Sequence, residues 1–305
     1  MELKPGYKLT EVGVIPEDWG VTQIGDFKPF VTSGSRGWAV YYADQGSLFI
    51  RITNLFRKSI YLNLEDSKFV KLSLKASEGI RTQLKQDDVL ISITADIGII
   101  GYVASNIPEP AYINQHIALI RFNTPKVNSK FVSYFLASEK PQKLFRASTD
   151  TGAKAGMSLL TVQRIQFALP PLSEQRSIAT ALSDMDELLG ELDRLITKKL
   201  DLKQSAMQQL FTGKIRLSEF GKGKGYKQTE IGMIPEDWRL TSFDKFGDVI
   251  DGDRGMNYPS GKDFNSDGYC LFLNAGNVTK SGFKFDDCAF ITRKKGKCSR
   301  GYQMP

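Results

Sequence analysis

The chain has 305 residues, 41% of them apolar and 25% charged, enough for one large or two medium globular domains. Its formal net charge is +7, and residues 1–172 carry 20 Lys/Arg against 15 Asp/Glu while 173–211 is acidic, a balance that suits a polyanion partner without naming one. No apolar run approaches the roughly 18–20 residues of a membrane span and MELKPGYKLT has no apolar signal core, so a cytoplasmic protein with no membrane partner is expected.

The first element is GYKLTEVGVIPEDW at Gly6–Trp19, which returns as GYKQTEIGMIPEDW at Gly225–Trp238 with 11 of 14 positions identical. The likeness continues more faintly: SGSRG at Ser33–Gly37 is echoed by DGDRG at Asp251–Gly255, and LFIRITN at Leu48–Asn54 by LFLNAGN at Leu271–Asn277. An offset of 219 residues is too long for a solenoid repeat and indicates a duplicated domain, whose second copy runs for about 80 residues.

Within the first copy, SLFIRITNL, DDVLISITADIGIIGYVA and HIALIRF are β-rich runs separated by Gly, Asn and Asp turn signals. They predict a twisted sheet or barrel. Asn128–Leu144 has helical spacing at Phe131, Tyr134, Phe135 and Leu136, with Pro141 placed to end or kink the helix. Leu169-Pro170-Pro171-Leu172 is then a stiff elbow, because each proline fixes its own φ and biases the residue before it away from helix.

A long helix follows, with Ser173 as expected N-cap and Glu174 in the first turn. Ile178, Leu182, Met185, Leu189, Leu192 and Ile196 follow the 4-3-4-3-4 spacing of a coiled-coil seam, and Gly213 is a natural stop. At 1.5 Å per residue this helix is roughly 57 Å long and needs a partner for its stripe. TGKIRLSEFGKGKGYK is a basic connector in which Lys214, Arg216, Lys222 and Lys224 could touch phosphates, though a solvated linker is the simpler reading. The expected fold is α+β: a globule with a twisted β-sheet or barrel core and small helices, then a long coiled-coil spacer helix. The expected boundaries are 1–172, 173–212, 213–227 and 228–305. Cys270, Cys288 and Cys298 match neither a disulfide framework nor a zinc knuckle and read as free thiols.

LPPLSEQRSIATAL at Leu169–Leu182, preceded by STDTGAKAGMSLLTVQRIQFA, resembles the central hallmark of type I restriction-modification specificity subunits. GVIPEDW and QHIALIR at Gln115–Arg121 fit the same family, and the resemblance covers nearly the whole chain. It implies two target-recognition domains, each reading half of a bipartite site in double-stranded DNA, spaced by paired helices. Methyltransferase (modification) subunits would dock along the helices, and a motor-nuclease (restriction) subunit would complete the complex. The resemblance assigns 1–172 to the first target-recognition domain, 173–212 to the spacer helix and 228–305 to an incomplete second domain. Counterparts of QDDVLISITADIG, of INQHIALIR and of a second helix are missing from that domain, which leads us to expect a subunit truncated within it. An antiparallel homodimer through the Ile178–Ile196 seam would bury the stripe and present two identical recognition domains.

Base reading needs Arg or short polar side chains on loops that a rigid scaffold holds against a groove. The candidates are Ser35 and Arg36; Arg51, Thr53 and Asn54; Thr94 and Asp96; Asn114, Gln115 and His116; and Thr151 and Lys154. Each has a structural alternative: Asn54 can stabilise a turn, Asn114 can satisfy backbone groups, and His116 can be a packed strand residue. No catalytic or metal site is expected. There is no G-K-[ST] loop, no Asn/Asp-Pro-Pro-aromatic tetrapeptide, and one histidine. S-adenosylmethionine, ATP and Mg would belong to partner subunits. Asp87-Asp88 and Asp286-Asp287 read as solvated turn acids.

Overall fold

The computed structural model of the chain describes residues 3–72, 77–147, 156–220, 225–248, 258–280 and 282–298. It divides into two compact units, Met1–Leu200 and Asp201–Pro305.

In the first unit β1 (Tyr7–Thr10) and β2 (Gly13–Pro16) form an antiparallel hairpin, followed by β3 (Gly20–Gln23). Then come β4 (Phe30–Ser33), β5 (Tyr42–Ala43), β6 (Ser47–Ile50), β7 (Lys68–Val70) and β8 (Val89–Ser92). The remaining strands are β9 (Ile100–Tyr102), β10 (Ala111–Ile113), β11 (Ile117–Arg121) and β12 (Gln166–Leu169). The helices are α1 (Ser77–Thr82), α2 (Ser129–Ala137), α3 (Glu139–Ala147), α4 (Leu159–Gln163) and α5 (Leu172–Phe211). The chain is therefore α+β.

One antiparallel sheet has the order β4-β11-β8-β9, and a second, mixed sheet has the order β10-β6-β7-β5 with β10 parallel to β6. Strand periodicity explains the layering. Val89 and Ile91 of β8 and Ala118 and Ile120 of β11 enter a core with Phe131, Leu136 and Phe167, while Leu90, Ile117 and Leu119 enter a core with Leu48, Ile50 and Ile113. The first sheet is thus buried on both faces, helices on one and the second sheet on the other, which is why VLIS and IALI read as continuous apolar runs.

The expectation that Asp87-Asp88 is a solvated pair is half wrong. Asp88 is fully buried, accepting from Arg121 Nε at 2.7 Å, Arg121 Nη2 at 2.6 Å and the Lys85 amide at 2.7 Å. Burial pushes its carboxyl above the ordinary carboxylate value, and Arg121 and the Lys85 amide pull the other way. The pair ties β11 to the turn that starts β8.

The predicted break near Pro141 falls at Ser138 instead. Asn128 caps α2, its Oδ1 accepting from the Phe131 amide at 2.8 Å, and Pro141 lies in the first turn of α3, where a missing N–H leaves no bond unmade. The long helix α5 begins one residue before Ser173, with the Gln175 amide donating to Pro171 O at 3.0 Å. Buried Gln175 also donates through Nε2 to Pro170 O at 2.9 Å and accepts from the Asn128 amide at 2.9 Å, so the glutamine of LPPLSEQ locks elbow, helix and α2 together. Tyr134 donates to Asp186 at 2.6 Å, and Tyr61 OH lies 2.8 Å from Ser183 Oγ.

Of the seam residues, Ile178 packs on the first core, a correction to its place in an open stripe. Leu182, Met185, Leu189, Leu192 and Ile196 are all exposed, Leu189 by 60%.

In the second unit β13 (Tyr226–Thr229) and β14 (Gly232–Pro235) form a hairpin that copies β1–β2 bond for bond. Lys8 Nζ reaches Glu17 O at 2.8 Å and Lys227 Nζ reaches Glu236 O at 2.8 Å; Thr10 and Thr229 each donate to the glycine carbonyl three residues on at 2.7 Å. The unit also has a sheet of β15 (Phe264–Asn265), β16 (Cys270–Phe272) and β19 (Ala289–Ile291), a pair of β17 (Val278–Thr279) and β18 (Gly282–Phe283), and α6 (Arg293–Cys298). Among its described residues, Ile234 and Ile291 are the buried large apolar side chains. Cys270 and Cys288 are free thiols. No helix among the described residues is long and apolar enough to cross a membrane.

Candidate nucleic-acid interface

Strand direction collects the candidate loops. Ala118 pairs with Ser33 and Ile117 with Ser92, so the end of β4, the end of β8 and the start of β11 share one end of the first sheet. The Asn114 amide donates to Ile50 O at 3.0 Å, which brings the end of β6 to the same place. The loops Gly34–Gly37, Thr94–Asp96, Asn114–His116 and Arg51–Asn54 leave those strand ends together.

The first three loops interlock. His116 Nδ1 is hydrogen-bonded to Thr94 Oγ1, and His116 Nε2 lies 3.0 Å from Gln115 Nε2; the tautomer protonated on Nδ1 satisfies both contacts, donating to the Thr94 hydroxyl and accepting from the Gln115 side-chain amide. Asn114 Oδ1 accepts from the His116 amide at 3.1 Å, shaping the INQH turn. A Cβ on Gly34 would stand 2.1 Å from the Asn114 carbonyl, so only glycine lets the SGSRG loop lie on that turn. Arg81 of α1 holds the loop from the other side, donating to Ser33 O at 2.6 Å and to the Thr32 and Ser35 hydroxyls. Arg36 beyond it is exposed.

Thr151 and Lys154 lie outside the described residues. The residues directly after them return to this cluster, with Gly156 bridged to Thr94 and the Met157 amide donating to Ile93 O at 2.8 Å.

Two candidates have structural roles instead of outward-facing ones. Asn54 is 1% exposed; its Oδ1 accepts from the Arg51 amide at 2.8 Å and its Nδ2 donates to Asn63 O at 2.8 Å. Arg51 spends its guanidinium on Asp66, at 2.8 Å. Thr53 between them is exposed. Asp96 pairs with Arg57, which also donates to Ile97 O at 3.0 Å and to buried Gln142 of α3. Arg57, Arg81 and Gln142 were missed in the sequence because an isolated arginine or glutamine outside a repeat has no pattern to mark it.

The cluster offers an exposed guanidinium, an amide and hydroxyls on loops fixed by hydrogen bonds to one another, which can donate to phosphates and base edges. Among the described residues, no three His, Cys, Asp or Glu side chains gather where they could hold a metal ion.

The chain matches a known family and several of its members. The family described as "Type I restriction modification DNA specificity domain" matches residues 16–202. A specificity subunit assigned to the type I restriction enzyme MjaX of Methanocaldococcus jannaschii is 27% identical over 268 residues, covering 86% of this chain and 60% of that protein. The MjaVIII specificity subunit of the same organism is 28% identical over 259 residues, 84% of this chain and 53% of that protein. The chain therefore spans little more than half the length of these relatives. Among solved structures, the type I restriction-modification S subunit from M. genitalium aligns over 94% of this chain and 64% of its own, with 15% identity and a TM-score of 0.47.

Proposed function

Because this chain belongs to the type I restriction modification DNA specificity family, we propose that it reads double-stranded DNA through the loop cluster around His116 and directs partner enzymes to the site. The observation that carries this reading is the convergence of the Gly34–Gly37, Thr94–Asp96 and Asn114–His116 loops at one sheet end. Half-buried and exposed hydrogen bonds hold those loops before any ligand arrives, which lowers the ordering cost of binding.

In this reading the chain is a non-catalytic, cytoplasmic subunit, and S-adenosylmethionine, ATP and Mg are brought by its partners. Methyltransferase subunits dock along α5, and the restriction subunit joins through that complex. The open Leu182–Ile196 stripe favours pairing with the same helix of a second copy, antiparallel, so that two identical recognition domains read a palindromic, interrupted site.

Co-purification with a methyltransferase, followed by methylation of random-sequence DNA, tests the reading. Methylation confined to one interrupted motif is the expected result. Methylation without sequence preference, or a chain that binds its DNA site tightly but never a methyltransferase, would overturn it.

A further inference from the structure

Gln115 and His116 are neighbours on the INQH turn, and their side chains have different work. The imidazole is spent within the protein, on the Thr94 hydroxyl through Nδ1 and on Gln115 Nε2, 3.0 Å away, through Nε2. Its backbone is tied down too: the His116 amide donates to Asn114 Oδ1 at 3.1 Å, and the Ile93 amide donates to the His116 carbonyl at 2.9 Å. Gln115, by contrast, is half-buried and makes no other side-chain hydrogen bond among the described residues. One N–H of its amide goes to His116, which leaves Oε1 as an acceptor and the second N–H as a donor.

A free glutamine can turn its amide over and so meet either purine. This one is held. Turning it would set Oε1 against the His116 Nε2 lone pair, so the imidazole proton would have to move to the other nitrogen and the Thr94 hydroxyl would have to reverse as well. With the amide seated as it is, an acceptor and a donor face outward side by side. In the major groove adenine shows the complementary pair, the N6 donor and the N7 acceptor, whereas guanine shows two acceptors and would set O6 or N7 against Oε1.

We propose that Gln115 reads an adenine, Oε1 accepting from N6 and the second N–H donating to N7, and that His116 is the positioning residue that holds this amide and touches no base. The inference rests on the DNA-reading function proposed above and deepens it, turning two adjacent candidates into one reader and its support.

The test uses the full chain in complex with its methyltransferase, selecting duplexes from a random pool. One motif position is expected to be enriched in adenine, and Gln115→Met to lower that preference about tenfold or more while the other positions keep theirs. His116→Phe should admit guanine at the same position, cutting the preference for adenine over guanine about tenfold. Loss spread over many positions would mean that His116 only stiffens the loop, and would overturn its positioning role. In the parent protein, 7-deazaadenine at that position, which lacks the N7 acceptor, should weaken binding about fivefold, and Gln115→Met should be indifferent to it. Were Gln115→Met not to fold, the parent decides alone: no adenine at which 7-deazaadenine costs affinity overturns the proposal. A motif whose adenines ignore Gln115→Met, or a Gln115-dependent guanine, overturns the adenine contact and leaves the DNA-reading function standing. A pool with no enriched motif overturns both.

Discussion

Trp19 Nε1 donates to Glu174 Oε2 at 3.1 Å, joining the hairpin motif to the first turn of the long helix across 155 residues of sequence. A hydrogen bond to a charged acceptor at a half-buried site contributes about 1–2 kcal/mol. Glu174→Ala is therefore expected to lower the urea midpoint of the first unit and to raise amide exchange in the opening turns of α5, with little change in the second hairpin. Equal exchange in parent and variant at residues 172–178 would show that the elbow alone holds the helix.

Asn54→Ala is expected to cost about 2–4 kcal/mol, because it removes a buried side chain and strands the half-buried Arg51 amide and the Asn63 carbonyl together. Its counterpart Asn277 accepts from the Asn274 amide at 3.0 Å and donates to Lys284 O at 3.0 Å, so the same substitution there should loosen the second unit by local exchange. A stable Asn54→Ala protein with altered DNA preference would return Asn54 to the base-reading set.

That pair also shows what the sequence could and could not reveal. The LFIRITN/LFLNAGN echo identified a repeated element, but an asparagine kept for a buried turn and one kept for a base edge look alike until burial is known. Pattern carries over whole elements: the long helix from the elbow toward Gly213 and the β-rich runs follow from periodicity and turn residues, whereas the repeated GxIPEDW segment is visible only as a repeat and its hairpin pairing is not. Pairing across long separations does not. Nothing local to SEGIRTQL marks Arg81 as the brace of the Ser35 loop, and nothing in QDDVL tells that Asp88 is buried against Arg121, because each depends on which strands become neighbours.

Arg121→Met is expected to destabilise the first unit by about 3 kcal/mol at neutral pH, since it leaves Asp88 buried without its cation. The folded carboxyl already titrates above its ordinary value and would rise further without Arg121. A raised folded value means that the contribution is present below the unfolded value of 3.8 and is lost as pH rises through the folded one. The gap between variant and parent should therefore shrink as the pH falls toward the carboxylate range. Urea midpoints measured across that range check this; a constant gap would mean that Asp88 stays charged throughout.

Arg36→Ala combined with Lys154→Ala should leave the unfolding free energy from urea titration within about 0.5 kcal/mol of the parent, since Arg36 is exposed and substitutions at exposed side chains usually change stability little. DNA affinity should fall, and the slope of log affinity against log salt should shrink by about 0.9 for each phosphate left without its cation. Fluorescence anisotropy on a methylated-motif duplex at several salt concentrations measures both. A change in site preference at constant slope would assign these residues to base edges instead of phosphates.

Leu189→Asp separates folding from assembly on α5. Leu189 is 60% exposed and touches neither core, so the charge should leave the thermal midpoint of the chain almost unchanged. In an assembled seam the same aspartate would be buried without a partner, at a cost of several kcal/mol. Self-association in sedimentation and methyltransferase capture report on the two uses of the stripe independently. Loss of self-association with capture retained would place the second copy on the Leu182–Ile196 face and the enzyme on another; loss of both would place them on one shared surface. Unchanged behaviour in both assays would leave the stripe without a partner and move assembly elsewhere on the chain.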